Sequence, residues 1–61
     1  MKFRDLDIGD HFVHWDTIDG CYYMYWKNSE YNARYIDENL KELDWNHIPF
    51  SSDDIVYKVI V

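Results

Sequence analysis

The sequence has very few of the residues that crosslink or break a chain. Its 61 residues include one cysteine, one proline and two glycines. Because Cys21 has no second cysteine to pair with, an internal disulfide is excluded, and a lone thiol fits a reducing compartment. The chain shows no targeting segment, and no apolar run approaches the roughly 20 residues of a membrane-spanning helix. We therefore expect a cytoplasmic protein that makes no membrane contact.

Basic residues are also scarce, with six against twelve acidic residues, which gives a formal net charge of -6. A surface of this sign repels phosphate backbones, which argues against a nucleic-acid partner. The acidic residues dominate residues 1–20 and 37–54, whereas residues 21–36 hold two basic residues and one acidic residue. The charge therefore favours a protein partner with a basic surface.

What the sequence has in abundance is aromatic side chains, which make up 20% of the residues. The stretch CYYMYWKNSEY, residues 21–31, holds five of them. A chain of this size buries only roughly 60% of the surface that its unfolded state exposes. Each aromatic side chain buries about 150–250 Å². We interpret part of the aromatic content as the way in which a very small core is filled.

The residue pattern predicts short strands separated by turns. Turn signals such as DIGD, DTIDG and SSDD separate runs of strand-forming residues, and Asp-Gly is a strong hairpin signal. We predict an all-β protein with a single compact domain over residues 1–61 and one short helical turn near 37–42, where a polar loop is the alternative. The five predicted strands lie at residues 11–15, 21–27, 31–36, 43–50 and 55–61. Strands at this spacing suggest a small barrel or sandwich.

Several short motifs resemble those of a family of small single-domain proteins common in bacteriophages and their hosts. These are K-F-x-D-L-x-I-G-D-x-F at 2–12, an aromatic strand ending in Lys27, the pair Asn32 and Ala33, and F-S-S-D-D-x-V at 50–56. The resemblance implies a five-stranded SH3-like β-barrel. The family has no settled activity, so it assigns no functional residues. Residues 37–47 depart most from the family pattern.

Potential catalytic or metal-binding residues are few. His11, His14, Cys21 and His47 are of the types that bind zinc. However, residues three apart on a strand point to opposite faces, and hairpin pairing places Cys21 near Trp15 rather than near a histidine. We expect no enzymatic activity, no catalytic residue, no cofactor and no metal, and keep a small metal-binding protein as an alternative.

Acidic loops form the first candidate partner-binding surface. Paired carboxylates in turns often stabilise the turn by accepting backbone hydrogen bonds, and this structural role is the alternative for each pair. Taken together, the acidic residues create a surface whose carboxylates could stand in for phosphates on a basic partner. The predicted partner-binding acidic residues are Asp37, Glu38, Glu42, Asp44, Asp53 and Asp54.

An aromatic strand face forms the second candidate surface. Alternation places Tyr23 and Tyr25 on one face of the strand, and Tyr22, Met24 and Trp26 on the other. Both faces are apolar, although an exposed strand face is normally polar. Either one face is an interface patch, or a strongly bent barrel buries parts of both. The predicted partner-binding aromatic residues are Tyr23, Tyr25, Trp26 and Trp45.

The sequence therefore predicts a small acidic, non-enzymatic, protein-binding protein. It would be a phage-type accessory or inhibitory protein that interacts with a host or phage protein, for example in an anti-defence or DNA-mimic role. The protein could also form a homodimer through the aromatic strand face. The alternative is a single-stranded nucleic-acid-binding barrel that stacks bases on its aromatic residues. Its binding residues would be Tyr23, Tyr25, Trp26, Lys27 and Arg34.

Overall fold

The computed structural model describes residues 1–36 and 47–60, which form five strands and one short 3-10 helix. The helix is Phe3–Asp5, and the strands are β1 (His11–Asp16), β2 (Cys21–Lys27), β3 (Asn32–Ile36), β4 (Ile48–Pro49) and β5 (Tyr57–Val59). All five strands belong to one antiparallel sheet in the order β4-β3-β2-β1-β5. The prediction of an all-β protein with five strands is confirmed. The helical turn predicted near 37–42 lies outside the described residues.

The β1–β2 hairpin follows from the sequence Asp-Thr-Ile-Asp-Gly. The Asp16 carboxylate accepts hydrogen bonds from the backbone N–H groups of Ile18 (2.8 Å) and Asp19 (2.9 Å). Gly20 has a φ of 68°, which glycine adopts without steric cost, and its N–H donates to the Asp16 carbonyl. The turn fixes the register, with Asp16 opposite Cys21 and Trp15 opposite Tyr22.

Residues 50–56 connect the two edges of the sheet. The Phe50 N–H donates to the Tyr31 carbonyl next to β3, and the Val56 N–H donates to the Met1 carbonyl. Between these points the 3-10 helix is attached to the same segment, because the Phe3 N–H donates to the Asp54 carbonyl. These contacts bend the sheet into a barrel-like form around a single core.

The core lies on one face of the sheet and is largely aromatic. Phe3 stacks on Phe50 with ring centroids 5.0 Å apart, and Phe12 meets Phe50 edge-on at 5.3 Å. Aromatic pairs in such geometries contribute beyond their buried area. The buried cluster is made of Phe3, Leu6, Phe12, Tyr25, Ala33, Phe50 and Val56.

The predicted boundaries agree with the structure to within one residue for the first three strands and differ more for the last two. β4 is Ile48–Pro49, where the prediction covered residues 43–50, of which 43–46 lie outside the described residues. Proline has no N–H for a sheet ladder, which is consistent with a strand that ends there. β5 begins at Tyr57 rather than at residue 55, because residues 55 and 56 pair with the N-terminal segment.

Candidate functional site

The pairing register divides the sheet into two faces. On the inner face, Phe12 lies opposite Tyr25, which in turn lies opposite Tyr35. On the outer face, Trp15 lies opposite Tyr22, and Val13 lies opposite both Met24 of β2 and Tyr57 of β5. The alternation that the sequence predicted for β1 and β2 is therefore present.

Three aromatic residues of the outer face form an exposed cluster, here called the outer aromatic cluster. Trp15, Tyr22 and Tyr57 have exposed fractions of 45%, 50% and 52%. The Trp15 and Tyr22 ring centroids are 5.0 Å apart, and those of Tyr22 and Tyr57 are 5.9 Å apart, both in edge-to-face geometry. Three neighbouring strands thus present one continuous aromatic surface.

The rest of the outer face is less accessible. Val13, Met24 and Trp26 are partly buried, and Ile36 at the end of β3 is buried. Among the described residues of the outer face, the exposed aromatic surface therefore lies where β2, β1 and β5 meet.

The structure separates the aromatic residues that the sequence predicted as one binding set. Tyr25 belongs to the core, so it cannot contribute to an exposed face. Tyr23 is partly buried on the inner face, where its ring meets Tyr35 edge-on at 5.4 Å. Trp26 is partly buried on the outer face opposite Arg34. Trp45 lies outside the described residues.

Trp15 and Tyr57 were absent from that predicted set, and Tyr22 was placed on the correct face without being selected. The sequence signal was the two-residue alternation, which groups Tyr22 with Met24 and Trp26, and Trp15 with Val13. Alternation alone does not show which side of a sheet faces the core, nor that Tyr57 joins the group through the β1–β5 pairing.

Of the predicted acidic binding residues, Asp53 and Asp54 are described. Asp53 lies 3.5 Å from the Lys2 ammonium and 3.3 Å from the Arg4 guanidinium. The Asp54 carboxylate accepts a hydrogen bond from the Ser51 N–H at 2.9 Å. Asp37, Glu38, Glu42 and Asp44 lie outside the described residues, so the acidic surface stays a prediction.

Other carboxylates of the chain stabilise local turns. Asp5 accepts from the Lys2 N–H (2.9 Å), and Asp10 accepts from the Asp7 N–H (2.8 Å). Asp16 has the same role in the first hairpin. The turn-stabilising alternative therefore applies to these residues, and they still contribute negative charge to the surface.

Lys27 is buried, although the sequence suggested a surface cation. Its side chain lies on the inner face, with an exposed fraction for the residue of 4%. The ammonium donates hydrogen bonds to the carbonyls of Phe3 (3.0 Å) and Leu6 (2.7 Å) and lies 4.5 Å from the centroid of the Phe3 ring. Lys27 therefore anchors the 3-10 helix to β2. A nucleic-acid groove built on Lys27 and Arg34 loses one of its two cations.

The histidines and the cysteine are dispersed. His11 and His14 lie on opposite faces of β1, and the His14 ring meets Phe50 edge-on at 5.1 Å. His47 shares a hydrogen bond of 2.8 Å with the Asn28 side chain, and Cys21 lies opposite Asp16. Within residues 1–36 and 47–60, no three or more His, Cys, Asp or Glu side chains are grouped in a way that could hold a metal ion.

A second feature lies beside the hairpin turn and is here called the tyrosine pocket. It is an open cavity of about 300 Å³ lined by Asp16, Asp19, Tyr23, Tyr25, Tyr35 and Ile48. Tyr23 donates a hydrogen bond of 2.5 Å to the Asp19 carboxylate, and this bond is the main reason why the pKa of Tyr23 is raised. Burial, and secondarily the charge of Asp16, raises the pKa of Tyr25.

Comparison with protein-family models, with curated proteins and with solved structures gives no match for this chain. In the described part of the chain, no helix has the length and the apolar character that a membrane span requires. The functional argument therefore depends on the surface and the pocket themselves.

Proposed function

We propose that the protein is a non-enzymatic binding protein that docks on a partner protein through the outer aromatic cluster. The observation that supports this proposal is the edge-to-face contact among Trp15, Tyr22 and Tyr57, each about half exposed. With about 150–250 Å² per ring, the cluster presents on the order of 300 Å² of surface. An exposed apolar patch of roughly this size is often functional.

The residue types of the cluster suit protein recognition. Tyrosine and tryptophan are enriched among the few interface residues that contribute most of the binding free energy. Their edge-to-face contacts restrain the three rings before a partner arrives. Fewer rotamers then have to be fixed on binding, which reduces the entropic cost of association.

The charge of the chain defines the chemistry of the partner. Two copies of a chain with a net charge of -6 repel each other, whereas a partner whose contact surface has an apolar centre and a rim of Lys and Arg is attracted. Opposite charge also accelerates encounter, so association should slow as salt is added. We therefore propose a basic protein as the occupant of this face.

The resemblance to small phage proteins extends the proposal to a biological setting. A phage-encoded accessory or inhibitory protein of this kind would dock on a host or phage protein. If that partner normally binds nucleic acid, the carboxylates of this chain would occupy the place of phosphates. The acidic residues of 37–54 would then supply some of these carboxylates.

The test is a comparison of two tyrosine substitutions. Tyr22 lies in the centre of the cluster, whereas Tyr31 is a matched exposed tyrosine in the turn after β2, with an exposed fraction of 66%. A partner captured with the unmodified protein is purified, and its affinity for each variant is measured by calorimetry. We expect Tyr22→Ala to weaken binding by about 30-fold or more, as for an interface anchor, and Tyr31→Ala to change it by about twofold or less.

Two outcomes would overturn the proposal. Equal effects of Tyr22→Ala and Tyr31→Ala would show that the outer aromatic cluster is not the contact surface. A stable homodimer in sedimentation analysis that Tyr22→Ala dissociates would show that the face binds a second copy instead of a basic partner.

A further inference from the structure

The tyrosine pocket combines aromatic walls with acidic groups at the end of the β1–β2 hairpin. The Tyr23 and Tyr35 rings stand almost perpendicular to each other, with an interplanar angle of 86° and centroids 5.4 Å apart. Tyr25 lies 5.8 Å from Tyr35 and belongs to the core. Asp16 and Asp19 come from the adjoining turn and also line the cavity.

These groups suit a cationic organic ligand. The face of an aromatic ring carries negative electrostatic potential and attracts ammonium and guanidinium groups within about 6 Å. Nearby carboxylates add direct charge attraction, which is strongest where hydrogen bonds form. A hard metal ion would instead need several oxygen ligands in a defined geometry, and no such group occurs in the described part of the chain.

The two carboxylates are held in place but are only partly engaged. One oxygen of Asp16, Oδ1, accepts both backbone hydrogen bonds of the turn, and Oδ2 of Asp19 accepts the Tyr23 hydroxyl. Within residues 1–36 and 47–60, no hydrogen bond to the other oxygen of either carboxylate is present. A cation in the pocket would find these oxygens already positioned by the hairpin.

We propose that the tyrosine pocket binds a basic side chain, a lysine or an arginine, of a partner protein. This inference deepens the proposed function, because it identifies a group by which a basic partner would be recognised. Asp16 follows Trp15 directly, so the pocket and the outer aromatic cluster flank the same end of the β1–β2 hairpin. At this end the pocket tyrosines lie on the inner face of the sheet, and the cluster lies on the outer face.

In the first experiment, isotope-labelled protein is titrated with three amino acids whose termini are capped, and two-dimensional NMR spectra monitor binding. The probes are the N-acetyl methylamides of lysine, of arginine and of norleucine, the last being a neutral match for the lysine side chain. We expect the two cationic probes to bind with dissociation constants on the order of millimolar and to shift the signals of Tyr23, Tyr35 and Asp19. Comparison of the lysine and arginine probes shows which side chain is preferred.

The second experiment removes the charge without removing the hydrogen-bond acceptors. In the double variant Asp16→Asn, Asp19→Asn, each amide oxygen can still accept the bonds that stabilise the turn and the Tyr23 hydroxyl. We expect this variant to bind the preferred cationic probe about tenfold more weakly or worse. The matched control is Asp53→Asn, an exposed carboxylate remote in sequence from the pocket residues, and it should leave the affinity within about twofold.

The inference is overturned by any of three results. The first is that the cationic probes cause no shifts at the pocket. The second is that the norleucine probe shifts the same signals as strongly. The third is that Asp53→Asn weakens binding as much as the pocket variant does. The outcome is independent of the proposed function, because Tyr22→Ala should leave probe binding unchanged. If the probes fail while partner binding still depends on Tyr22, only the pocket inference falls. If the probes bind while Tyr22→Ala leaves partner affinity intact, only the docking surface falls.

Discussion

The two faces of the sheet carry the same classes of residue and differ in what covers them. On the inner face, Phe12 packs against Phe3 and Phe50, which come from the N-terminal segment and from residues 50–56. On the outer face, Trp15 and Tyr22 contact each other and remain about half exposed. Aromatic content in a very small protein therefore has two separate uses. Some aromatic residues form the core, and others form an exposed apolar surface. Because exposed apolar area is unfavourable in water, such a surface suggests a binding function.

The largest expected change in stability distinguishes Phe12 from Trp15, which lie on opposite faces of the same strand. Phe12 is fully buried, so Phe12→Ala should lower the free energy of unfolding by about 3–5 kcal/mol, through lost burial and the cavity left behind. Trp15→Ala should lower it by about 1 kcal/mol or less, because half of the ring is already in water. Urea unfolding followed by circular dichroism measures both.

A domain of 61 residues with about 0.05–0.15 kcal/mol of stability per residue has about 3–9 kcal/mol in total, so Phe12→Ala is expected to remove a large part of it. Phe12→Leu should also lower the free energy of unfolding, but by less, so it can be measured if Phe12→Ala does not fold. If Trp15→Ala destabilises the protein as much as Phe12→Ala, the outer aromatic cluster is part of the stabilising structure, and the distinction between the two faces fails.

An intermediate change in stability is expected when the buried Lys27 and the exposed Lys58 are compared. Lys27→Met keeps most of the aliphatic length but removes the donor to the Leu6 carbonyl, so we expect a loss of about 1–3 kcal/mol, the cost of an unsatisfied buried acceptor. Lys58→Met breaks an ion pair at 3.6 Å between the exposed Lys58 and the partly buried Asp10, and should change stability by less than about 1 kcal/mol. Unfolding in urea again provides the comparison, and equal effects would contradict the anchoring role of Lys27.

The smallest expected effect concerns alkaline pH and the tyrosine pocket. The pKa values of Tyr23 and Tyr25 are raised in the folded protein, above the value of about 10 for an unfolded chain. Their contribution to stability is therefore complete below about pH 10 and is lost as the pH rises further, because the unfolded state releases these protons first.

Tyrosinate absorbance in a pH titration checks this prediction. Tyr23 and Tyr25 should ionise at higher pH than free tyrosine, because their pKa values are raised. Asp19→Ala removes the acceptor of the Tyr23 hydroxyl and should bring the pKa of Tyr23 closer to its ordinary value, because the Asp19 hydrogen bond is the main cause of the shift. Unchanged ionisation of Tyr23 in that variant would contradict the hydrogen bond.

Much of the fold could be predicted from the sequence because local signals determined it. Asp16 and Gly20 specify a hairpin, and two-residue alternation correctly grouped the side chains of β1 and β2. The burial of Lys27 was missed, although alternation already placed it on the same face as Tyr25. Its neighbour across the strands is Ala33, whose small side chain leaves room for the lysine, and this pairing depends on a register that the sequence did not define.

The motifs that carry the family resemblance turn out to have structural roles in this chain. Phe50 and Val56 fill the core, and Ser51 and Asp54 bond each other across the turn between them. Gly9, in the N-terminal motif, has a φ of 101°, in the region that favours glycine. Such residues specify the shape of the molecule rather than what it binds, so the resemblance leaves the partner to be found by experiment.

The pairing of residues 55 and 56 with the N-terminal segment has a consequence for aggregation. It shortens the edge strand β5 to three residues, which include the charged Lys58, while the opposite edge strand β4 has two residues and ends in Pro49. Short edges that carry lysine or proline are poor templates for strand addition by another molecule. Within residues 1–36 and 47–60, the protein therefore exposes Trp15, Tyr22 and Tyr57 on the outer face of a sheet whose two edges are poor sites for the growth of fibrils.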